Sequence, residues 1–493
     1  MQEKKGYMRK SPSKIDRPVG VRMALLFQFG SKYINVAIQL VLTMILARLL
    51  TPEEFGLIAI VTVFSSFFMI LSDAGISPAI IQRDDLSHKD HNALLFMTLL
   101  LGVALSVLFA FLSFPIAWFY DNPELVSLCI FAAPSILFNA LNMVPNGILL
   151  KQKRFLTIGL RLIVSTIAGG TVAIIMAFSN CGAYALIANS IVTPLVNFIW
   201  NKIASKIAFS NIHFMEPLRK VFRYSAFQMG FSTVNYFSRN LDNLLIGKFI
   251  NITELGFYDK AYKLSLYPLN FFSGVIGSVL QPYLAKYQND KKAIFERWTL
   301  VAKGISLIAA PVSVLLFVAP SEIILLFYGD QWGQAAPILQ ILSVSIYFQM
   351  VNNPSGGIFQ ACNHTNYMFA HSLVATSMTL LGLIIGLSFG NITDVAIGIS
   401  IAYCMHSISI LFFLIHKSLH ASIWKFCKQL LPEIAIGIFC CILCSVAAPL
   451  MSENIFVSLI EKTAIIIIVT VLLYCLTDQM KYLKTILGKK NRI

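Results

Sequence analysis

Residues 93–119 read ALLFMTLLLGVALSVLFAFLSFPIAWF, a run without a charged side chain. A helix needs about 20 mostly apolar residues to cross about 30 Å of hydrocarbon. The run is long enough, and it lacks the apolar–polar alternation of a membrane strand. Hydrocarbon offers no water to backbone N–H and C=O groups, so a continuous apolar run of this length predicts a spanning helix.

Working outward, similar runs lie near 23–47, 55–81, 125–150, 156–178 and 182–202, then near 221–247, 254–284, 298–319, 335–360, 366–389 and 394–416. Two more lie near 428–449 and 456–476. Together they predict an all-α integral membrane protein of about fourteen transmembrane helices. Composition agrees: 57% of the 493 residues are hydrophobic and 12% charged, against roughly a quarter charged in soluble domains.

The 38 Lys and Arg outnumber the 23 Asp and Glu. A nucleic-acid reader would gather them on one wetted face; here they sit in short tracts between apolar runs, so no nucleic-acid partner is expected. The first 22 residues hold seven of them and no apolar centre, which makes a basic tail rather than a signal peptide. An even span count puts both termini on one side. If that side is the cytoplasm, 29 of the 38 basic residues fall there and three opposite, namely Arg48, Lys248 and Lys462. The positive-inside rule therefore predicts cytoplasmic termini. The nine Cys residues imply no disulfide framework and no metal site.

The chain also repeats itself. Phe27-Gln28-Phe29-Gly30 returns as Phe227-Gln228-Met229-Gly230, and Asn35, Arg48, Glu54 and Gly56 meet Asn235, Lys248, Glu254 and Gly256, all at an offset of 200. Phe119-Tyr120 and Phe327-Tyr328 echo at 208. Six spans per unit is even, so the units are parallel repeats, a transporter architecture in which the substrate site lies at the repeat interface. The expected organisation is a basic tail (1–22), an N-lobe of helices one to six (23–206), a C-lobe of helices seven to twelve (207–417), helices thirteen and fourteen (418–480) and a second basic tail (481–493).

Fourteen spans in paired six-helix halves, with the segment Leu46-Ala47-Arg48-Leu49-Leu50-Thr51-Pro52-Glu53-Glu54-Phe55-Gly56, resemble the polysaccharide-flippase branch of the MOP (multidrug, oligosaccharidyl-lipid, polysaccharide) exporter superfamily. Asn235-Tyr236-Phe237-Ser238-Arg239-Asn240-Leu241-Asp242-Asn243-Leu244-Leu245-Ile246-Gly247 looks like the seventh span of Wzx-type flippases, especially the colanic-acid-exporter-like subgroup. The resemblance covers about residues 20–480. It implies a MOP/MATE-like fold of two pseudo-symmetric six-helix bundles plus two C-terminal helices. It also implies an inner-membrane protein of lipopolysaccharide, O-antigen or exopolysaccharide synthesis that flips undecaprenyl-diphosphate-linked oligosaccharides by alternating access. Membrane lipid, a polysaccharide polymerase and a chain-length regulator are the implied partners.

A charge at mid-membrane is costly and usually faces water, a partner or a ligand. Lys32, Asn35 and Gln39 share one face of the first span; Asn235, Arg239 and Asp242 share one face of the seventh. Two such stripes on pseudo-equivalent helices suit a common cavity. Lys260 and Lys263, with Asp259, add charge in the eighth span. Lys32 and Arg239 are candidate diphosphate binders, and Asp242 and Asp73 candidate ion-coupling carboxylates. The alternatives are snorkelling for Lys32, an Arg239–Asp242 structural ion pair, a helix cap for Asp73, a membrane-edge position for Asp259, Lys260 and Lys263, and interfacial anchoring for Arg48 and Lys248.

No Walker, GxSxG or HExxH motif occurs, so no catalytic residue, cofactor or ATPase is expected. A sugar polymerase or ligase would need a sizeable periplasmic loop, and the loops are short. The rival transporter readings are a peptidoglycan-precursor flippase or a drug/cation antiporter of the same superfamily.

Overall fold

The computed structural model describes residues 21–73, 76–209, 236 and 239–482. Among these residues the chain is helical and forms no strand. The first half contains α1 (Val21–Leu49), α2 (Pro52–Asp73), α3 (Ile76–Gln82), α4 (His88–Tyr120), α5 (Glu124–Lys151), α6 (Phe155–Phe178) and α7 (Tyr184–Ser205). The second contains α8 (239–249), α9 (Ile252–Ala285), α10 (Lys291–Val318), α11 (Pro320–Tyr328), α12 (Ala335–Asn352), α13 (Ser355–Ala361), α14 (Thr365–Ser388) and α15 (Ile392–Ile410), which runs into a π-helical stretch, Leu411–Ser418. The helices α16 (Ile423–Ala447) and α17 (Ile455–Leu476) follow.

Eleven helical stretches among the described residues are long and apolar enough to cross a membrane. The expected spans near 182–202 and 254–284 form helices, α7 and α9, that are not among these eleven. The one near 221–247 lies mostly outside the described residues. The run near 335–360 is divided between α12 and α13 by Pro354, which stands at the N-cap of α13 and cannot donate a helical hydrogen bond. Pro134 and Pro145, by contrast, are carried inside an unbroken α5.

Helix starts are written locally. Before α4, Ser87 N donates to Asp90 Oδ2 (2.8 Å) and Asp90 N to Ser87 Oγ (3.2 Å), a reciprocal capping box. Thr51 and Glu54 do the same at α2: Thr51 N donates to Glu54 Oε2 (2.7 Å) and Glu54 N to Thr51 Oγ1 (3.3 Å). At the position 200 residues on, Asn251 Oδ1 accepts from Glu254 N at 2.7 Å. The repeated Glu54 and Glu254 therefore sit at the same place in equivalent helix starts.

Contacts divide the chain into two compact units, residues 1–50 with 57–240, and 51–56 with 241–493. In the first, α1 packs on α6, α4 on α5, and α5 and α6 on α7. Ile76, Ile80, Leu94, Leu95, Leu141, Val144 and Ile148 form a buried core of α3, α4 and α5. In the second, α12 packs on α9, α10 and α15, and α14 on α15. The C-terminal helices α16 and α17 dock on α10 through Leu307, Val314, Ile436, Cys440, Ile466 and Tyr474. Large apolar side chains such as Phe111, Phe114, Ile384, Ile385, Ile438, Ile442, Ile467 and Leu472 face outward, as lipid contact requires.

One contact within the second unit carries the repeat in its geometry. The first turn of α2 crosses the first turn of α9 backbone to backbone. A methyl group on Gly56 would collide with the Ile252 carbonyl, and one on Gly256 with the Pro52 carbonyl. Pro52 and Ile252, like Gly56 and Gly256, are partners at the offset of 200. The contact is reciprocal, as a local pseudo-two-fold axis demands.

Forced overpacking costs about 1–3 kcal/mol. Gly256→Ala is therefore expected to lower the thermal midpoint of the detergent-solubilised protein, measured by loss of the monodisperse peak on size-exclusion chromatography. Gly356→Ala, where a methyl meets open space, is expected to leave that midpoint in place.

Candidate functional site

The first expected stripe divides on folding. Asn35 is buried, and its Oδ1 accepts a 2.6 Å hydrogen bond from Thr166 Oγ1, which fastens α1 to α6. Lys32 and Gln39 are exposed on the same helix. Of the three, Asn35 is committed to packing, and the two exposed side chains keep their donors available.

The second stripe divides as well. Asn235 lies outside the described residues. Arg239 is exposed, whereas Asp242 is buried. Asp242 accepts from Tyr258 Oη (2.9 Å) and from the Asn243 backbone N–H (2.9 Å). The alternative reading, an Arg239–Asp242 ion pair, is not seen: the carboxylate is met by a tyrosine on the neighbouring helix and by the backbone N–H of Asn243. Tyr258 stacks on Tyr262 with ring centroids 5.8 Å apart, and Tyr262 Oη lies 3.0 Å from Tyr403 Oη. A tyrosine ladder thus runs along α9.

The three charged residues of α9 occupy different surroundings. Asp259 is buried and takes a 2.8 Å ion pair from Lys263, whose side chain is 54% exposed. Lys260 is buried. Its ammonium lies 3.5 Å from the centre of the Phe55 ring, with Tyr328 and Trp332 at 5.6 and 5.8 Å. Lys260 is therefore held by aromatic faces, and its role as an open ligand gives way to a cation–π anchor at the crossing of α2 and α9. Asp73 closes α2.

The Asp242–Tyr258 bond fixes how α8 and α9 lie along each other. Arg239 is three residues before Asp242, and Lys263 is five beyond Tyr258. Both are basic side chains exposed on their own helices.

Several buried charges escaped the sequence reading. Lys303 of α10 and Glu433 of α16 form an ion pair at 2.6 Å, with side chains 3% and 0% exposed. Lys303 also donates to the Gln429 carbonyl. Lys462 of α17 pairs with Glu322 of α11 and donates to the Val318 carbonyl at 2.9 Å. Arg161 of α6 donates to Asn146 Oδ1 of α5 at 2.9 Å. The signal was available as single charges inside the runs near 298–319 and 428–449; which charge meets which is a matter of packing.

A sequence profile of the family described as polysaccharide biosynthesis protein matches residues 45–337. The chain belongs to that family. Among curated relatives, the lipopolysaccharide biosynthesis protein WzxC of Escherichia coli (strain K12) is 25% identical over 396 residues, 79% of this chain and 80% of that protein. Among solved structures, lipid II flippase MurJ in an inward closed conformation superposes with a TM-score of 0.71 at 19% identity, covering 94% of this chain and all of that one. An inward-facing MATE-family multidrug resistance transporter of the MOP superfamily superposes at 0.61 and 15% identity, covering 78% of this chain and 96% of that one. This polysaccharide biosynthesis protein is thus a multi-pass membrane protein with the MOP-superfamily fold.

Removing one partner of a buried ion pair costs about 3–5 kcal/mol, whereas replacing both by apolar residues is close to neutral. Lys303→Met is expected to abolish recovery of folded protein from membranes. The double variant Lys303→Met/Glu433→Leu is expected to restore it, measured as monodisperse yield and thermal midpoint.

Proposed function

We propose that this protein translocates undecaprenyl-diphosphate-linked oligosaccharide repeat units across a bacterial inner membrane, from the cytoplasmic to the periplasmic leaflet, for lipopolysaccharide, O-antigen or exopolysaccharide synthesis. The observation that carries the reading is the combination of family membership with exposed intramembrane cations, Arg239 and Lys263 on one helical hairpin and Lys32 on α1. WzxC is named for lipopolysaccharide biosynthesis and MurJ for flipping a lipid-linked precursor, which supports the same substrate class.

In this reading Lys32 and Arg239 hold the diphosphate. A guanidinium offers phosphate oxygens a planar fork of donors, and an ammonium a mobile point charge. Lys263 is a further candidate contact for the polar part of the substrate. Asp259 keeps Lys263 in a fixed rotamer and leaves its remaining N–H groups free. The prenyl tail stays in lipid along the apolar outer faces of α16 and α17. Both termini are cytoplasmic, in accord with the basic bias of the tails and loops. A cation gradient or the membrane potential supplies energy, each elementary charge moved through 100 mV being worth about 2.3 kcal/mol. Polymerase and chain-length regulator act on the product in the periplasm.

The MurJ fold supports a second reading, flipping of a peptidoglycan precursor. Proteoliposome uptake of labelled lipid-linked oligosaccharide against lipid II, with a cationic dye as the drug-exporter control, separates the two and the antiporter alternative.

A charge-assisted hydrogen bond contributes about 1.5–3 kcal/mol. Lys32→Ala/Arg239→Ala is expected to lower polymer export roughly 10- to 100-fold at normal protein level, with undecaprenyl-linked units accumulating on the cytoplasmic leaflet. Undiminished export would remove the diphosphate assignment.

A further inference from the structure

Two histidines on α14 and α15 meet ring to ring in the second unit. His371 Nε2 and His406 Nε2 are 2.8 Å apart, and the rings are within 10° of parallel with centroids 4.6 Å apart. His371 Nδ1 lies 3.0 Å from Ser409 Oγ. Phe359 of α13 and Phe413 of the π-helical stretch flank His371 at 6.2 and 6.3 Å. His371 is buried and His406 half-buried.

Two nitrogens this close need one hydrogen between them. Two lone pairs would repel, and two N–H groups would collide. In the neutral pair one ring donates its Nε2 proton to the lone pair of the other. Uptake of one proton from water gives an imidazolium hydrogen-bonded to a neutral imidazole; the Ser409 hydroxyl can then accept from His371 Nδ1–H. Uptake of a second proton sets two N–H donors head to head and drives the rings apart.

The surroundings leave this chemistry to the pair itself. Among the described residues, the titratable group whose charge acts on His371 is His406. α13 presents Phe359 and the π stretch Phe413. Other titratable groups on the packed elements are Tyr403 of α15 with Tyr262 (3.0 Å), Tyr347 of α12 with Ser306 (2.7 Å), Asp259 of α9 with Lys263 (2.8 Å), His364 beside α14 with Ser418 (2.7 Å), Tyr367 of α14 against His364 (5.4 Å), His416 and Lys417 against Phe412 (5.8 and 5.6 Å), and Asp394 and Cys404 of α15.

Ser409 stands two residues before the π-helical stretch Leu411–Ser418. The π turn is rare and tends to mark functional positions. Farther along the same two helices, the backbones of Gly382 and Gly398 touch, so that a methyl on either would strike the carbonyl of the other. The helices are thus clasped at one level, while at the histidine level they are joined through a bond that survives the first added proton and is broken by the second.

We propose that His371 and His406, with Ser409 as relay, form a single-proton binding site whose second protonation separates α14 from α15, and that this site couples proton movement to transport. The coupling half rests on the flippase reading; the proton site does not.

The site is tested on the purified full chain in detergent, without substrate. Hydrogen exchange of residues 365–418, corrected for intrinsic rates, is expected to speed up by about tenfold per unit fall in pH once the second proton binds. His406→Gln, whose amide can still donate to His371, is expected to flatten that response. Ring-labelled histidine spectra of the unmodified protein are expected to show two separated titration steps for the pair, as coupled sites do. Uniform exchange across pH, or one simple titration step for each ring, would overturn the site. For coupling, polymer export is expected to fall when a protonophore collapses the proton gradient in cells carrying the unmodified protein. Export indifferent to the protonophore would end the coupling role and leave the flippase reading intact.

Discussion

Hydrocarbon supplies no hydrogen-bond partner, and every other feature of this protein follows from that scarcity. Backbone groups are satisfied within helices. Helix starts outside the apolar runs are closed by their own side chains, as Thr51 with Glu54 and Ser87 with Asp90. Buried hydroxyls bond back to their own helix: Ser135 to the Ala132 carbonyl and Ser113 to the Ala110 carbonyl, both at 2.6 Å. The polar side chains that remain must find one another across helices, and they thereby choose which helices dock.

The same rule sorts the intramembrane charges into three groups. Lys303 with Glu433, and Glu322 with Lys462, tie α16 and α17 to α10 and α11. Lys260 is held by aromatic faces rather than by a carboxylate. Arg239, Lys263 and Lys32 stay exposed. The third group is the one the proposed reading assigns to a phosphate-bearing substrate, and the first two are spent on holding helices together. Asp242 moves from the third group to none of them, because Tyr258 meets its need without charge.

The internal repeat has a physical anchor in the crossing of α2 with α9. Sequence pairing at an offset of 200 pointed to two parallel repeats; the reciprocal close approach of Gly56 to Ile252 and of Gly256 to Pro52 turns that pairing into geometry. Glycine is required at both positions because two backbones touch. The matched cap residues, Thr51 with Glu54 and Asn251 with Glu254, start the two helices where the crossing needs them.

Membrane class, helical character, the repeat and the sorting of basic tracts were all determined by the sequence alone. Each is a local or additive property: apolar length, charge between runs, identity at a fixed offset. The helix breaks were partly legible, since Pro354 marks one and yet Pro134 and Pro145 mark none. Stripe membership was legible to the extent that Lys32 and Gln39 share an exposed face. Only the tertiary structure decided that Asn35 serves α6, that Asp242 serves Tyr258, that Lys303 finds Glu433 130 residues away, and that His371 meets His406. Helical periodicity fixes which residues share a face, but the partner of a face depends on how several helices pack at once, and that information is spread over the whole chain.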